Sequence, residues 1–583
     1  MQPQVLTQRP PRSSDGGAVA KAVGVLLLLP SAVLTIITLV IPTIGTIGTS
    51  MRSENLDLGE SEDVGFDNFS SVLGGEFGSA LWFSVSLVLL PILVAVVVAP
   101  LLAAALDWAG GWARVTARVV LSLAIVVFSP VALAIAWMRA LREEPELLAD
   151  PELAGGTMRT SLALMTFGVV CAIGVMVFLP AFRARRRLWP TLFTIAGLLV
   201  LGLLAVGLQQ FTLPLAMTGF GPGSETMTPV GMLYTTAFGQ GRLGVGAAVS
   251  TLLLVLLAVL GVAAVLVVVL TRLRVSVRPF RSSGSGSPVN AGAIVVALLA
   301  LIAVVVVAVL AMGPWFDALG GAEPAGPDGA RGRTWPPALL CALVSVGVAY
   351  LGALGVSGLR PLGRHSEWLL MPFAPWLFVG AAPLGVELFR SLREDGELGD
   401  GDLFPPILVS LVALVILAVL CRGQAERWRQ QTAAGAPAAG SFFRTVVLPT
   451  LPPAVLLFVV TVFVNAQDLF WGLVTAQSPK NATTPLQLFT SNTAMYGGEF
   501  SVASATPMVA VVLGFVALGV IQALHLDRMT ATVGRPDDPT GPIRVPVMPQ
   551  QTASGPAWSG APQPQGPVAP PEPGQAPPPG QHA

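Results

Sequence analysis

The chain has 583 residues, of which 53% are apolar and only 11% charged, and its mean hydropathy is +0.74. This composition excludes an ordinary soluble domain and predicts an all-α integral membrane protein, because a helix satisfies its own backbone groups in lipid. With 32 basic and 32 acidic side chains the formal net charge is zero, so charge gives no argument for a nucleic-acid partner.

Apolar runs long enough to cross roughly 30 Å of hydrocarbon predict about twelve membrane spans. In chain order they are 22–45, 80–106, 117–140, 160–181, 189–209, 245–271, 291–313, 336–357, 368–389, 404–421, 449–472 and 502–525. We therefore expect two halves of six spans, 22–271 and 291–525, joined by a flexible Ser-, Gly- and Arg-containing linker at 272–290. Residues 1–21 precede the first span. The Pro-rich tail 526–583 is predicted to be disordered, since it loses its apolar content from about Arg535.

Basic side chains concentrate in alternate loops, and this pattern predicts the side of the membrane on which each loop lies. Arg114 and Arg118 follow span two, four arginines follow span four, and further arginines follow spans six, eight and ten. Loops on the other side, such as REEPELLADPEL, are rich in acids. We expect a multi-pass protein of the plasma membrane with both termini in the cytoplasm.

Motifs for catalysis or cofactor binding are missing from the sequence. Lys21 and Lys480 are the only lysines, and neither stands in a G-x-x-x-x-G-K-[ST] phosphate loop. The three histidines and three cysteines lack the spacing of metal ligands. We therefore expect no enzyme activity, no cofactor and no metal site in this chain.

Polar side chains at the ends of two apolar runs are candidates for a solute path. Gln209 and Gln210 end span five, and Gln467, Asp468 and Trp471 lie near the corresponding end of span eleven. Polar groups at membrane depth usually face a bundle interior or a wet cavity. The alternative for Asp468 is a solvated position at the membrane interface.

Three stretches carry recognisable motifs. They are FDNFSSVLGGEFGSALWF from Phe66, FTLPLAMTGFGPGSETMTP from Phe211, and QQTAAGAPAAGSFFRTVVLPTLPP from Gln430 to Pro453. The first two resemble segments of the first permease subunit of maltose-type, binding-protein-dependent sugar importers of the ATP-binding-cassette class. The third is similar to the EAA loop of that family, which docks onto the ATPase subunit. The resemblance implies a type I importer permease fold, with a first-subunit-like half fused to a second-subunit-like half.

The residues of the EAA-like loop, 430–449, are assigned by this resemblance. The matching positions are Thr432, Ala433, Ala434, Gly435, Phe442, Phe443, Arg444, Leu448 and Pro449. The acid that usually opens the loop is missing, since Gln430 or Thr432 stands there. The equivalent loop of the first half, FRARRRLWP, offers only a basic cluster, Arg183, Arg185, Arg186 and Arg187. That cluster is either a topology signal or a reduced docking element.

The resemblance also implies a function. The chain would translocate a sugar or a similar polar solute, with ABC ATPase subunits, an extracytoplasmic solute-binding protein and membrane lipid as its partners. Two alternatives stay open. An ion-coupled secondary transporter would need charges at mid-membrane, of which the spans show almost none. A non-transporting scaffold or sensor would fit the degenerate docking loops.

Overall fold

Helices account for nearly all of the computed structural model, which describes residues 18–55, 61–185, 187–277, 291–322, 329–395, 404–476, 481–493 and 500–534. The long helices are α1 (Ala18–Ser50), α2 (Phe77–Ala109), α3 (Gly111–Val127), α4 (Pro130–Glu143), α5 (Pro151–Ala184), α6 (Leu188–Leu208), α7 (Leu243–Thr271), α8 (Ala291–Ala311), α9 (Ala330–Leu359), α10 (Leu411–Ala433), α11 (Ala438–Ala466) and α12 (Met508–Arg528). Two short strands, β1 (Arg274–Val277) and β2 (Met529–Thr532), complete the framework. The length and apolar composition of the long helices fit a multi-pass membrane protein.

Shorter helical segments connect the long helices. The α-helical ones are Asp67–Leu73, Glu146–Ala149, Thr212–Thr218, Pro229–Tyr234, Gly313–Asp317, Gly385–Asp395, Phe470–Thr475 and Thr484–Thr493. The 3₁₀ segments include Gly363–Trp376, Ala382–Leu384 and Val502–Ala505.

The count of spanning helices differs from the twelve expected. Within the described ranges nine helices are long and apolar enough to cross a membrane, and α3 with α4, bent by 79°, makes ten if the pair is one span. The predicted span 368–389 is instead a 3₁₀ segment and a short helix, because Pro372 and Pro375 remove backbone donors. The predicted span 404–421 starts later, at Leu411, and its helix runs on to Ala433.

Prolines also explain where several long helices widen. One π turn precedes Pro42 in α1, another precedes Pro100 in α2, and a third, Phe443–Val447, precedes Pro449 in α11. A proline has no N–H and its ring clashes with the carbonyl one turn back, so the helix opens locally there. The third π turn makes α11 one helix from Ala438 through most of the predicted EAA-like loop.

The first half, residues 18–277, and the second half, residues 291–534, exchange their first helices. Helix α1 packs against α9 of the second half, and α8 packs against α2 of the first half. The last helix of each half also packs against the opposite half. Helix α7 of the first half contacts Gly363–Trp376, and α12 of the second half contacts α3. Small residues allow the close approach: Gly352 and Gly355 lie against α1, and Ser31 Oγ donates to the Val348 carbonyl at 2.9 Å.

An antiparallel ribbon joins the segments that follow the last helix of each half. Strand β1 pairs with β2 in the register Arg274 with Thr532 and Val277 with Met529. Strand β1 lies against α10 of the second half, and β2 lies against α5 of the first half. Residues 274–277 of the predicted linker and 526–534 of the predicted disordered tail are therefore ordered, because each completes the backbone bonds of the other. Residues 278–290 and 535–583 lie outside the described residues.

Candidate functional site

The EAA-like segment forms a tight helical hairpin between α10 and α11. Helix α10 ends at Ala433, and Gly435 takes a left-handed φ of +93°, which reverses the chain. The Gly435 N–H donates to the Thr432 carbonyl at 3.0 Å, and the Ala436 N–H donates to the Gln431 carbonyl at 3.0 Å. The true loop is therefore only 434–437, shorter than the predicted 430–449.

Two aromatic side chains brace this hairpin. The Trp428 ring meets the Phe442 ring edge to face, with centroids 5.0 Å apart, and Trp428 Nε1 donates to the Ala438 carbonyl at 3.0 Å. Thr445 Oγ1 donates to Gln431 Oε1 at 2.6 Å and ties the two helices together further along. These bonds hold the start of α11 at a defined angle to the end of α10.

The bracing divides the predicted docking residues into an inner and an outer set. Phe442 and Thr432 are half-buried, because Phe442 packs on Trp428 and Thr432 Oγ1 bonds to the Trp428 carbonyl. Phe443 is 58% exposed beside the exposed Arg444. The remaining predicted positions are the exposed Ala433, Ala434, Gly435 and Leu448 and the half-buried Pro449. The outer set forms a small-residue turn next to a projecting aromatic and a guanidinium.

The corresponding turn of the first half is one residue shorter and differs in composition. Helix α5 ends at Ala184 and α6 begins at Leu188, with Arg185 and Arg187 at left-handed φ values of 51° and 48°. Both of these side chains are exposed, whereas Arg183 points to Asp527, with Nη1 2.7 Å from Oδ2. Arg186, also predicted here, lies outside the described residues. The turn is three residues long, against four at 434–437, and arginines stand where the second half has alanine, glycine and proline.

A network of charges crosses between the halves at the ribbon end of the bundle. Asp527, at the end of α12, lies 2.8 Å from Arg114 Nε and 3.0 Å from Arg118 Nη2 as well as bonding Arg183. Arg118 is only 1% exposed, so its charge is compensated in the interior. This role has no signal in the sequence, where the arginines indicate topology and Asp527 falls within the predicted tail.

A second network occupies the matching place beside β1. Arg422 Nε lies 2.9 Å from Glu367 Oε1, Arg360 Nη2 donates to the same oxygen at 3.3 Å, and Arg274 Nη1 lies 3.0 Å from Glu426. Burial lowers the pKa of Arg422 to about 10, although Glu367 opposes this shift, so the guanidinium stays charged at neutral pH. The Asp527 network and the Arg274–Glu426 pair therefore join the halves around the ribbon.

The five predicted path residues lie at two corresponding places. Gln209 and Gln467 follow the ends of α6 and α11, and each side chain hydrogen-bonds across to the other half. Gln210 accepts the Thr228 hydroxyl on its backbone carbonyl at 2.8 Å. Asp468 Oδ1 accepts the Trp471 N–H at 3.4 Å, and the buried Trp471 donates from Nε1 to the Phe404 carbonyl at 3.1 Å. In this arrangement Asp468 caps Phe470–Thr475.

Aromatic rings fill the contact between the halves next to these residues. Phe211 meets Phe470 edge to face with centroids 5.2 Å apart, and Tyr234 lies within 6.4 Å of the same ring. Phe238 of the first half stacks edge-on against Phe389 of the second at 5.3 Å. A patch of five rings from both halves thus lines their interface.

Within the described residues, no three histidine, cysteine, aspartate or glutamate side chains come together as a metal site, and Cys171, Cys341 and Cys421 are buried and unpaired with one another. No protein-family model and no curated protein matches the chain.

Proposed function

We propose that this protein is the membrane permease of an ATP-driven ABC importer of the plasma membrane, which moves a sugar or a similar polar solute delivered by an extracytoplasmic binding protein. The observation that carries the proposal is the braced hairpin at 428–445, with Phe443 and Arg444 projecting beside an Ala- and Gly-rich turn. Separate ATPase subunits would bind there, on the cytoplasmic side, where both termini would also lie.

The hairpin has the physical properties of a docking element. An exposed aromatic offers a large area to bury in a partner's cleft, and small residues around it permit close backbone approach. Because Trp428 already fixes the conformation of the turn, binding costs little conformational entropy. A rigid hairpin on α10 and α11 would also transmit motion of a partner directly into the bundle.

The interface between the halves supports the proposed path and solute class. Aromatic rings such as Phe211, Tyr234 and Phe470 meet there, and flat apolar faces of this kind pack well against sugar rings. The path would open where these rings now touch, by rocking of one half against the other about the central site. The exchanged helices α1 and α8 would keep the halves together during that motion.

The arginine turn at Arg185 and Arg187 favours a second candidate function. A permease with two equal docking hairpins would engage two ATPase subunits alike, but the turn between α5 and α6 consists of arginines and lacks the small residues of 434–437. A non-transporting scaffold or sensor derived from the permease fold would need no second hairpin. This candidate predicts ATPase binding, or binding of another partner, without solute uptake.

Co-purification with candidate ATPase subunits, followed by uptake in proteoliposomes, tests the proposal. The double variant Phe443→Ala with Arg444→Ala should reduce ATPase binding at least about tenfold, because it removes the exposed anchor and its neighbouring charge. The matched control is Arg364→Ala with Trp368→Ala, an exposed arginine and aromatic pair outside both predicted docking elements, which should bind normally. Unchanged binding in the first variant, or uptake that needs no ATP, would contradict the proposal.

A further inference from the structure

Gln209 and Gln467 occupy equivalent positions in the two halves. Each directly follows the helix of the fifth predicted span of its half, α6 or α11, and caps it with nearly the same backbone, φ −103° and ψ 12° at Gln209 and φ −103° and ψ 7° at Gln467. The surrounding sequences, VGLQQFTL and VNAQDLFW, share little beyond this glutamine. The equivalence is therefore a property of the fold.

The Gln209 side chain bonds to an irregular segment of the second half. Its Nε2 donates to the Phe378 carbonyl at 2.8 Å, and its Oε1 accepts the Gly380 N–H at 2.8 Å. Nε2 also donates to the Ala205 carbonyl of its own helix, α6, at 2.9 Å. The segment it holds lies between the 3₁₀ helices Gly363–Trp376 and Ala382–Leu384, where helical backbone bonds are interrupted.

The Gln467 side chain makes the matching contact in the opposite direction. Its Oε1 accepts the Ser129 hydroxyl at 2.6 Å, at the bend between α3 and α4 of the first half. Its Nε2 donates to Thr506 Oγ1 at 3.0 Å and to the Ala505 carbonyl at 3.3 Å, just before α12. Gln467 is only 6% exposed, so these bonds form away from bulk water.

Each glutamine therefore binds the break within the third predicted span of the opposite half, 117–140 for Gln467 and 368–389 for Gln209. Both breaks leave backbone or hydroxyl groups that need partners, since an unpaired polar group in such surroundings costs about 1–3 kcal/mol. An amide side chain is suited to this task because it offers a donor and an acceptor at once. The bonds join the halves without a covalent link.

We infer that Gln209 and Gln467 are a symmetric pair of latches that hold the two breaks to the opposite halves and must both release when the halves part at this end. The inference rests on the proposed function only in assigning this motion to solute transport. Both latches are closed in this structure, so it represents a state shut at the latch end. The two glutamines act as positioning residues for the path.

Distance measurement by pulsed electron paramagnetic resonance tests the latches without any transport assay. Spin labels on Glu146→Cys of the first half and Arg393→Cys of the second report their separation, because both sites are exposed while the three native cysteines are buried. Gln209→Leu and Gln467→Leu should each raise the longer-distance population about fivefold, the change expected from losing one net hydrogen bond. The double variant should exceed either single variant.

Controls on the same helices separate latch loss from general loosening. Thr194→Val on α6 and Thr461→Val on α11 each remove a hydroxyl that bonds only within its own helix, and they should leave the distances unchanged. Ser129→Ala releases the Gln467 latch from the first half without altering Gln467. Gln467→Glu keeps the acceptor for Ser129 and should restore most of the closed population.

The outcomes separate this inference from the proposed function. Unchanged distances in Gln209→Leu, Gln467→Leu and Ser129→Ala, with normal folding, would overturn the latches whatever the protein transports. A shift equal to that of the threonine controls would also overturn them. If the distances shift as expected while no ATPase binds and no solute is taken up, the latches stand and the importer proposal fails.

Discussion

The Trp428 ring packs edge-on against Phe442 with centroids 5.0 Å apart, while its indole N–H bonds to the backbone at Ala438. One residue further on, Phe443 is 58% exposed. Two adjacent phenylalanines thus have opposite roles, the first in building the hairpin and the second on its surface. This division leads to the first prediction.

Trp428→Leu should loosen the hairpin, because it removes the aromatic pair, worth about 1 kcal/mol, and the indole hydrogen bond, worth about as much. Hydrogen exchange of the backbone amides at 433–442 should accelerate roughly tenfold or more. Phe443→Ala is the control, and its exchange should match that of the unaltered protein. Equal exchange in Trp428→Leu and the unaltered protein would mean that the ring does not brace the turn.

Gly435→Ala should destabilise the hairpin by about 1 kcal/mol, since a side chain at φ +93° is strained whatever the surrounding space. Gly440→Ala is the matched control in the same segment. Gly440 is exposed, helical and free of atoms within 4 Å of an added Cβ, so alanine should stabilise it by about 0.5–1 kcal/mol. Thermal unfolding in detergent, with proteolysis at the turn, measures both. Two shifts of the same sign would refute the assigned backbone.

Asp527→Asn should lower the free energy of unfolding by about 2–4 kcal/mol, because three arginines lose their shared carboxylate and Arg118 has almost no access to water. The control is Asp63→Asn. The Asp63 side chain, which pairs with Arg52, is 88% exposed, so this change should lower the free energy of unfolding by less than about 0.5 kcal/mol. Thermal unfolding of both variants in the same detergent decides the matter. Similar small effects would show that the network contributes little.

Ser276→Cys with Thr530→Cys should form a disulfide across the ribbon, since these residues are paired in register and their hydroxyls lie 3.0 Å apart. A protease site inserted in 278–290 gives the readout: after cleavage, the halves should migrate together without reductant and apart with it. Ser276→Cys with Thr532→Cys, two residues out of register, should cross-link much less. Equal cross-linking of both pairs would contradict the register.

Several helices could be predicted from the sequence to within a few residues. The expected 189–209, 245–271 and 291–313 correspond to Leu188–Leu208, Leu243–Thr271 and Ala291–Ala311. These runs are uninterrupted, so local apolar length decides them. The prediction of 368–389 as one span went wrong where prolines compete with that length, and the expected disorder of 526–534 missed a strand whose partner is more than 250 residues away.

The candidate site shows the same division. Phe443 and Arg444 could be selected by their resemblance to a known loop, but only the hairpin shows that Phe442 packs inward on Trp428. Gln209 and Gln467 stood out as polar groups at the ends of apolar runs. Their targets, a backbone break and a serine in the opposite half, carry no signal in the sequence, because neither break looks polar by composition.

By itself, the sequence determined that this protein is a helical membrane protein, since transfer of apolar side chains into lipid and the need for internal backbone bonds both act locally along the chain. The tertiary structure decided how the halves are joined: the exchange of α1 and α8, the ribbon, and the pairing of Asp527 with Arg118 across 409 residues. Those contacts depend on geometry between distant segments. The sequence shows which kinds of partner a charged or amide side chain can bind. Which of those partners lies within reach depends on how the helices pack.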